Sequence, residues 1–385
     1  MRNAKSYRTV RLLVLLLVLL GIYYLRQPPH VYNWVFAYYM SYDNDLNPHG
    51  EVIVRDLQDG VVNSKIAVTV QADLADSRGM KRIALFHKGG KPQKKEMILK
   101  SEDSADEVQL GKYLEWVRQN WTAENYCIVF LNHGGTLDHM CQDRKPFKDS
   151  GKNRQFTSGK WLRASKAAKI LASFNQKVDN KVRLVFLQQC GRAAIQNLYT
   201  FADSGEYIMA SPLVVGAPNT YYTKTLASVA QGPNVTGQTL AETIMREDEH
   251  YAVYTLISNE QLRKLPEKLA PVLDSFKAAS FLNRPGSCSP VFEFAGEKFY
   301  DLKSYFQALS AANKNTAGRE LGDFFSWCED ELIVSNAIRG PKPAEPPHCG
   351  LSLYVPSSED PNTCYDSLPL YQQTNLDAVM KLTPK

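Results

Sequence analysis

Two short stretches of the chain carry residue types that do chemistry, Asn132-His133-Gly134-Gly135 and Gln188-Gln189-Cys190-Gly191. A thiol attacks a carbonyl carbon as its thiolate, and a neighbouring imidazole can take its proton. The positive end of a helix starting just after the thiol lowers its pKa further. Gly134 and Gly135, having no side chains, let backbone N–H groups come close to a developing oxyanion, as stabilisation of a tetrahedral intermediate requires. The amides of Gly134 and of Cys190 itself are the candidate donors. The pattern fits acyl transfer with Cys190 as nucleophile and His133 as base. The same residues also read as a buried structural thiol and a turn histidine, and residue types alone leave both open.

Each stretch directly follows an apolar run without a breaker, Tyr126–Leu131 before the histidine and Val182–Leu187 before the cysteine, and both runs read as buried strands. Between them Ala164, Ala167, Ala168, Leu171 and Phe174 form the apolar face of a helix whose Arg163, Lys166, Lys169 and Ser173 face water. Strand, helix, strand in a right-handed crossover makes the strands parallel, so both carboxyl ends reach one edge of the sheet. Neighbouring strands lie ~4.8 Å apart. His133 and Cys190 can therefore share the crevice where open α/β sheets place their sites.

The same alternation extends in both directions. Trp34–Met40, Ile66–Ala72, a hairpin partner at Lys81–Phe86, and Tyr207–Met209 read as strands, and Ala194–Ala202 as a helix. A capping box at Ser104–Glu107 opens a helix with Leu110, Leu114, Val117 and Trp121 on its apolar face. The expected fold is a three-layer α/β/α sandwich around a mostly parallel sheet, over residues 31–236. Residues 237–385 read as a helical C-terminal region, clearest near Pro266 with Leu269, Val272, Leu273 and Phe276, and Gly350–Val355 is expected to return to the sheet as a late strand. Residues 1–30 hold Arg2, Lys5, Arg8 and Arg11 before an apolar run from Leu12 to Leu25. That arrangement predicts a single-pass signal-anchor with the body on the extracytoplasmic side, or a secreted body if the segment is removed.

With 45 basic and 40 acidic residues the charge is balanced, and it argues against a nucleic-acid partner. Seven cysteines in an exported chain imply at least one free thiol; the other six can pair, with Cys349 and Cys364 the simplest pair to imagine. His133, Asp138, His139 and Cys141 have ligand types that suit zinc, which would make a zinc-dependent hydrolase. They lack regular pair spacing, and a polar site loop is the plainer reading, with no cofactor called for. Asp43, Asn44 and Asp45 invite a metal reading but fit better as a turn after a strand; Tyr221, Tyr222, Tyr251 and Tyr254 could line a substrate cleft but read more plainly as core or surface, and the basic stretch 142–160 as a solvated loop.

An ordered set of motifs resembles the clostripain-like cysteine peptidases, which share the fold of caspases, gingipains and legumain. The set comprises Tyr39-Met40-Ser41-Tyr42-Asp43-Asn44-Asp45-Leu46, Asn132-His133-Gly134-Gly135-Thr136, the strand into Cys190, Ala210-Ser211, and Gly350-Leu351-Ser352-Leu353-Tyr354-Val355-Pro356. The resemblance implies hydrolysis of a peptide or protein substrate by a Cys190/His133 dyad with no mandatory third residue, and cutting of the chain itself near the basic loop. It places the acyl-side pocket at Gln188, Ser211, Pro212 and Asn219. Two departures bear on specificity. Gln188 stands where the family usually has Asp, and Pro212–Tyr222 contains no acid. A buried guanidinium needs a carboxylate, so a preference for Arg or Lys is not expected unless Asp203 or Glu206 reaches the pocket. A caspase-fold binding module with little activity is the alternative that these losses suggest.

Overall fold

The computed structural model describes residues 30–75, 79–100, 103–144, 160–278, 282–283, 285, 288–339, 348–356 and 365–382. The expected anchor, the centre of the basic loop and Cys364 lie outside these residues.

β1 (Tyr32–Tyr42) is apolar at nearly every position because both faces of its sheet are covered. Alternate residues point to opposite sides. Val35, Ala37 and Tyr39 belong to one core, and Trp34, Phe36, Tyr38 and Met40 to the other. Next comes α1 (Asn47–Gly60), with Pro48 in its first turn and Ile53, Val54 and Leu57 buried. Then follow β2 (Ile66–Leu74), β3 (Lys81–Lys88), β4 (Lys91–Ile98), α2 (Glu107–Asn120) and β5 (Ala123–Leu131). β6 (His139–Asp143) and β7 (Lys160–Arg163) form a small two-stranded sheet at the two ends of the basic stretch. α3 (Ala164–Lys177), β8 (Val182–Gln188), α4 (Ile195–Thr200), β9 (Tyr207–Ala210), α5 (Tyr222–Gln231), α6 (Gly237–Glu247) and β10 (Val253–Ser258) complete the alternation. Beyond them lie α7 (Asn259–Leu262), α8 (Leu265–Lys277), β11 (Phe292–Phe294), β12 (Glu297–Asp301), α9 (Leu302–Ala312), α10 (Gly318–Trp327), β13 (Ile333–Ile338), β14 (Ser352–Val355), α11 (Pro369–Gln373) and α12 (Leu376–Leu382).

The main sheet has nine strands in the order β13-β10-β9-β8-β5-β1-β2-β3-β4. The five central strands, β9 to β2, are mutually parallel, and antiparallel strands close both sides. The sheet thus takes strands from both sides of residue 237.

Several expectations need correction. The helix at 104–107 starts later than the capping box placed it: Asp106 caps Glu107–Asn120 by accepting the Val108 N–H at 2.9 Å. The Ser104 N–H is occupied elsewhere, by the Asp143 carboxylate at 2.9 Å. The late strand does not return to the main sheet. β13 already occupies that edge, and β14 pairs with β12 in a separate three-stranded sheet. The C-terminal region is therefore mixed, and not purely helical. All six described cysteines are free thiols, with Cys127, Cys141 and Cys328 buried.

Candidate active site

β5 and β8 are hydrogen-bonded neighbours whose parallel register ends at Leu131 opposite Gln188. His133 and Cys190 each stand two residues past that final pair. The two loops touch through their backbones: a Cβ on Gly134 would collide with the Cys190 carbonyl, so only glycine fits there. Cys190 is half-buried. Burial pushes its thiol pKa up, while the backbone amide of Val215, the charge of Arg192 and the amide of Gly134 pull it down. The sulfur accepts the Val215 N–H at 3.3 Å and faces the Val215 carbonyl at 3.6 Å. Gly191 has φ +66°, and a Cβ there would run into the Phe292 ring, so the turn after Cys190 also requires glycine.

His133 Nε2 lies 3.0 Å from Asp45 Oδ1, and Arg144 approaches the same oxygen at 3.6 Å. Burial works against the charge of Asp45, but the hydrogen bond and charge of His133, with help from Arg144, outweigh it and hold the carboxyl below its ordinary value. Asp45 is thus a partner of the histidine as well as part of a turn. Asn44 does the turn's work, accepting the Leu46 N–H at 2.9 Å. Asn132 latches the strand ends together: its amide donates to the carbonyls of Ser41 and of Gln142, the latter at 2.8 Å.

The pocket residues fall into two groups. Ser211 and Pro212 are buried, and the Ser211 hydroxyl serves its own turn by accepting the Leu213 N–H at 3.0 Å. Gln188 and Asn219, in contrast, meet in a buried polar chain that ends at Asp248, itself fully buried. Asp248 accepts from Asn219 Nδ2 at 2.7 Å, Tyr254 Oη at 3.1 Å, and the Thr220 and His250 amides at 3.2 Å each. A carboxylate only accepts, so Asn219 must turn its amide nitrogen to Asp248 and its oxygen to Gln188. Gln188 then donates to Asn219 and to Tyr222 Oη at 2.9 Å, and accepts from Tyr221 Oη at 2.7 Å. Tyr221, Tyr222, Tyr251 and Tyr254 are all core residues.

The acids expected as rescuers lie elsewhere, Asp203 3.8 Å from Arg263 and Glu206 3.2 Å from Arg183. The residues with zinc-like types are likewise separated. Asp138 bonds Arg163 and the Ser165 amide at 2.8 and 2.7 Å, His139 Nδ1 is 2.8 Å from Thr136 Oγ1, and Cys141 takes the Gln189 amide at 3.3 Å. Asp45, Val215, Arg192 and Asp248 were not legible as site residues. Only Arg192 carried a signal, as a lone charge in an otherwise apolar run behind Cys190.

Known proteins bear on this arrangement. The chain matches none of the curated proteins. An inactive zymogen C11 protease from Parabacteroides distasonis is 17% identical with TM-score 0.65, over 90% of this chain and 99% of its own. A secreted C11 cysteine protease from Bacteroides thetaiotaomicron is 12% identical with TM-score 0.66, over 90% of this chain and 100% of its own. The same kind of protease in complex with an irreversible peptide inhibitor is 13% identical with TM-score 0.64, over 89% and 99%. At these identities the likeness shows a shared fold. The clostripain family pattern matches residues 38–277, most of the chain, including both loops described above, and the chain therefore belongs to the clostripain family of C11 cysteine peptidases.

Proposed function

We propose that the chain is a membrane-anchored endopeptidase, with its body outside the cytoplasm, that cuts peptide bonds through a Cys190/His133 dyad and accepts a neutral residue on the acyl side. The observation that carries this reading is the placement of both residues just past one pair of neighbouring parallel strands, with backbone in contact between their loops. With Nε2–H donated to Asp45, His133 keeps Nδ1 as the nitrogen that accepts a proton. On attack the Cys190 sulfur bonds to the substrate carbonyl carbon and its proton passes to the imidazole. The Gly134 and Cys190 amides face the oxyanion. The imidazolium returns the proton to the departing amine, and water, deprotonated by the same imidazole, releases the acyl group.

Specificity follows from the pocket floor. Every polar atom of Gln188 and Asn219 already has a partner, and Asp248 is committed to four donors. An entering Arg or Lys would lose hydration worth several kcal/mol without a free carboxylate to offset it. The test compares kcat/KM for matched peptides that differ only at the acyl-side residue, with Cys190→Ala and His133→Ala as controls. Neutral residues are expected to lead, and both variants to be inactive. A best substrate with Arg or Lys by about tenfold, ~1.4 kcal/mol, defeats the specificity reading; activity in either variant defeats the dyad. The anchor reading predicts that N-terminal sequencing of membrane-extracted protein begins before residue 12, and a start near residue 27 rejects it.

A further inference from the structure

Arg192 is among the largest fully buried side chains, 1% exposed, two residues after the nucleophile. A buried guanidinium is costly unless its donors are used, and here they are used on two adjoining loops. Nη1 donates to the His139 carbonyl at 2.9 Å, and Nη2 to the carbonyls of Gly135 at 2.7 Å and Thr136 at 3.0 Å. Nε reaches back to the Cys190 carbonyl at 3.4 Å. One planar fork therefore spans the nucleophile turn and the loop that carries His133. The same loop is also held from far along the chain. The carboxylate of Glu297, on β12 and fully buried, accepts the Leu137 N–H at 2.6 Å and also the Tyr365 hydroxyl.

We propose that Arg192 is a positioning residue of the reaction, fixing the His133–Gly134 loop against the Cys190 turn, with Glu297 of the C-terminal sheet holding the same loop at Leu137. Two more contacts tie that sheet to the nucleophile: Phe292 covers Gly191, and the Ser352 N–H donates to the Ala193 carbonyl at 2.9 Å. Residues 292–355 lie beyond the family match at 38–277, so the site depends on a region that the shared pattern does not include. Arg192 also acts through charge. Burial draws its own pKa down to about 10, with Glu297 opposing, and its positive charge lowers that of the Cys190 thiol.

The proposal rests on the dyad reading, and its test separates the two. Full-length protein is prepared as Arg192→Lys, Arg192→Gln and Glu297→Gln, with Cys190→Ala as control. Cys190 alkylation by iodoacetamide is followed against pH by peptide mass spectrometry, and kcat and KM are measured on one cleaved peptide. Lysine keeps the charge but cannot fork to several carbonyls. Arg192→Lys is expected to keep the parent's alkylation midpoint and lose about tenfold or more in kcat, because small displacements of reacting groups are expensive, with KM within about threefold of the parent. Arg192→Gln keeps hydrogen-bonding capacity and loses the charge, so its alkylation midpoint should rise by roughly 1 pH unit. Glu297→Gln should lose kcat in the same sense as Arg192→Lys. An unchanged kcat in Arg192→Lys, a loss confined to KM, or an unshifted midpoint in Arg192→Gln overturns the assignment. Cleavage by Cys190→Ala instead refutes the dyad, and the alkylation midpoints then still decide whether Arg192 tunes this thiol.

Discussion

An imidazole that takes a thiol proton becomes a cation, and a carboxylate on its second nitrogen stabilises that cation and fixes the ring. Asp45 stands there, 3.0 Å from His133 Nε2. Its side chain is 64% exposed, so water and salt screen the interaction, and its contribution should fall well below the ~10²–10⁴ of a general base itself. Asp45→Asn is expected to lower kcat by roughly tenfold with KM little changed. Arg144→Ala, which removes only the second partner of Asp45, should have a smaller effect. Parallel pH–kcat curves for wild type and Asp45→Asn, separated by less than twofold, would mean that the ring is held by its loop alone. The placement of Cys190 and His133 past neighbouring strand ends was legible because each follows a breaker-free strand and is itself followed by glycine, a local pattern. Asp45 was not, because its partner lies 88 residues away, and an Asp-Asn-Asp run after a strand is equally well explained by turn formation. Asp248 escaped for the same reason: its role exists only where α6 brings it behind Asn219.

At the scale of elements, the central parallel strands were readable because burial on both faces leaves an unbroken apolar run, whereas β4 was not, being exposed at all eight positions. β10 and β13 join the sheet antiparallel, each after two consecutive helices, α5 and α6 or α9 and α10, so the strand–helix–strand spacing that located the parallel strands does not mark them. The small C-terminal sheet is held to the catalytic layers by side chain as much as by backbone. Gln196, at the start of α4 and fully buried, donates to the Tyr354 carbonyl at 2.9 Å and accepts the Tyr354 N–H at 3.2 Å. One amide thus does for β14 what a neighbouring strand would do. Gln196→Ala would take this partner from both buried main-chain groups, at a cost of up to about 1–3 kcal/mol each. A lowered midpoint in urea unfolding is expected, together with reduced kcat, since β14 and β12 belong to the unit that holds Glu297 against the His133 loop. If stability falls while kcat is unaffected, the sheet and the catalytic loop are not mechanically coupled.

For the whole molecule, pH acts on stability and on reactivity in opposite directions. Asp43, Asp73 and Asp143 are all buried near the carboxyl ends of β1, β2 and β6. Burial and then the charge of Asp143 push Asp73 up to about 8, against hydrogen bonds from Ser104. Burial, then Asp103 and Asp43, push Asp143 up to about 7. Lys160 pairs with Asp103 at 2.6 Å on the exposed rim. In the unfolded chain these carboxyls titrate near ~3.9. Between that value and about 8 the folded state holds protons that the unfolded state has released. Stability from this pair is therefore fully present below pH ~4, falls as pH rises, and is gone once Asp73 ionises. Reactivity runs the other way, because burial raises the Cys190 thiol pKa and more alkaline solution favours the thiolate. Asp73→Asn, which imitates the protonated acid in shape, should melt with the wild type near pH 4 and several degrees above it at pH 8, with the excess growing between those values. Thermal melts of both proteins at half-unit intervals measure this. Equal melting temperatures across the range would show that Asp73 is ionised in the folded protein at neutral pH, and that its negative charge is already balanced where it lies.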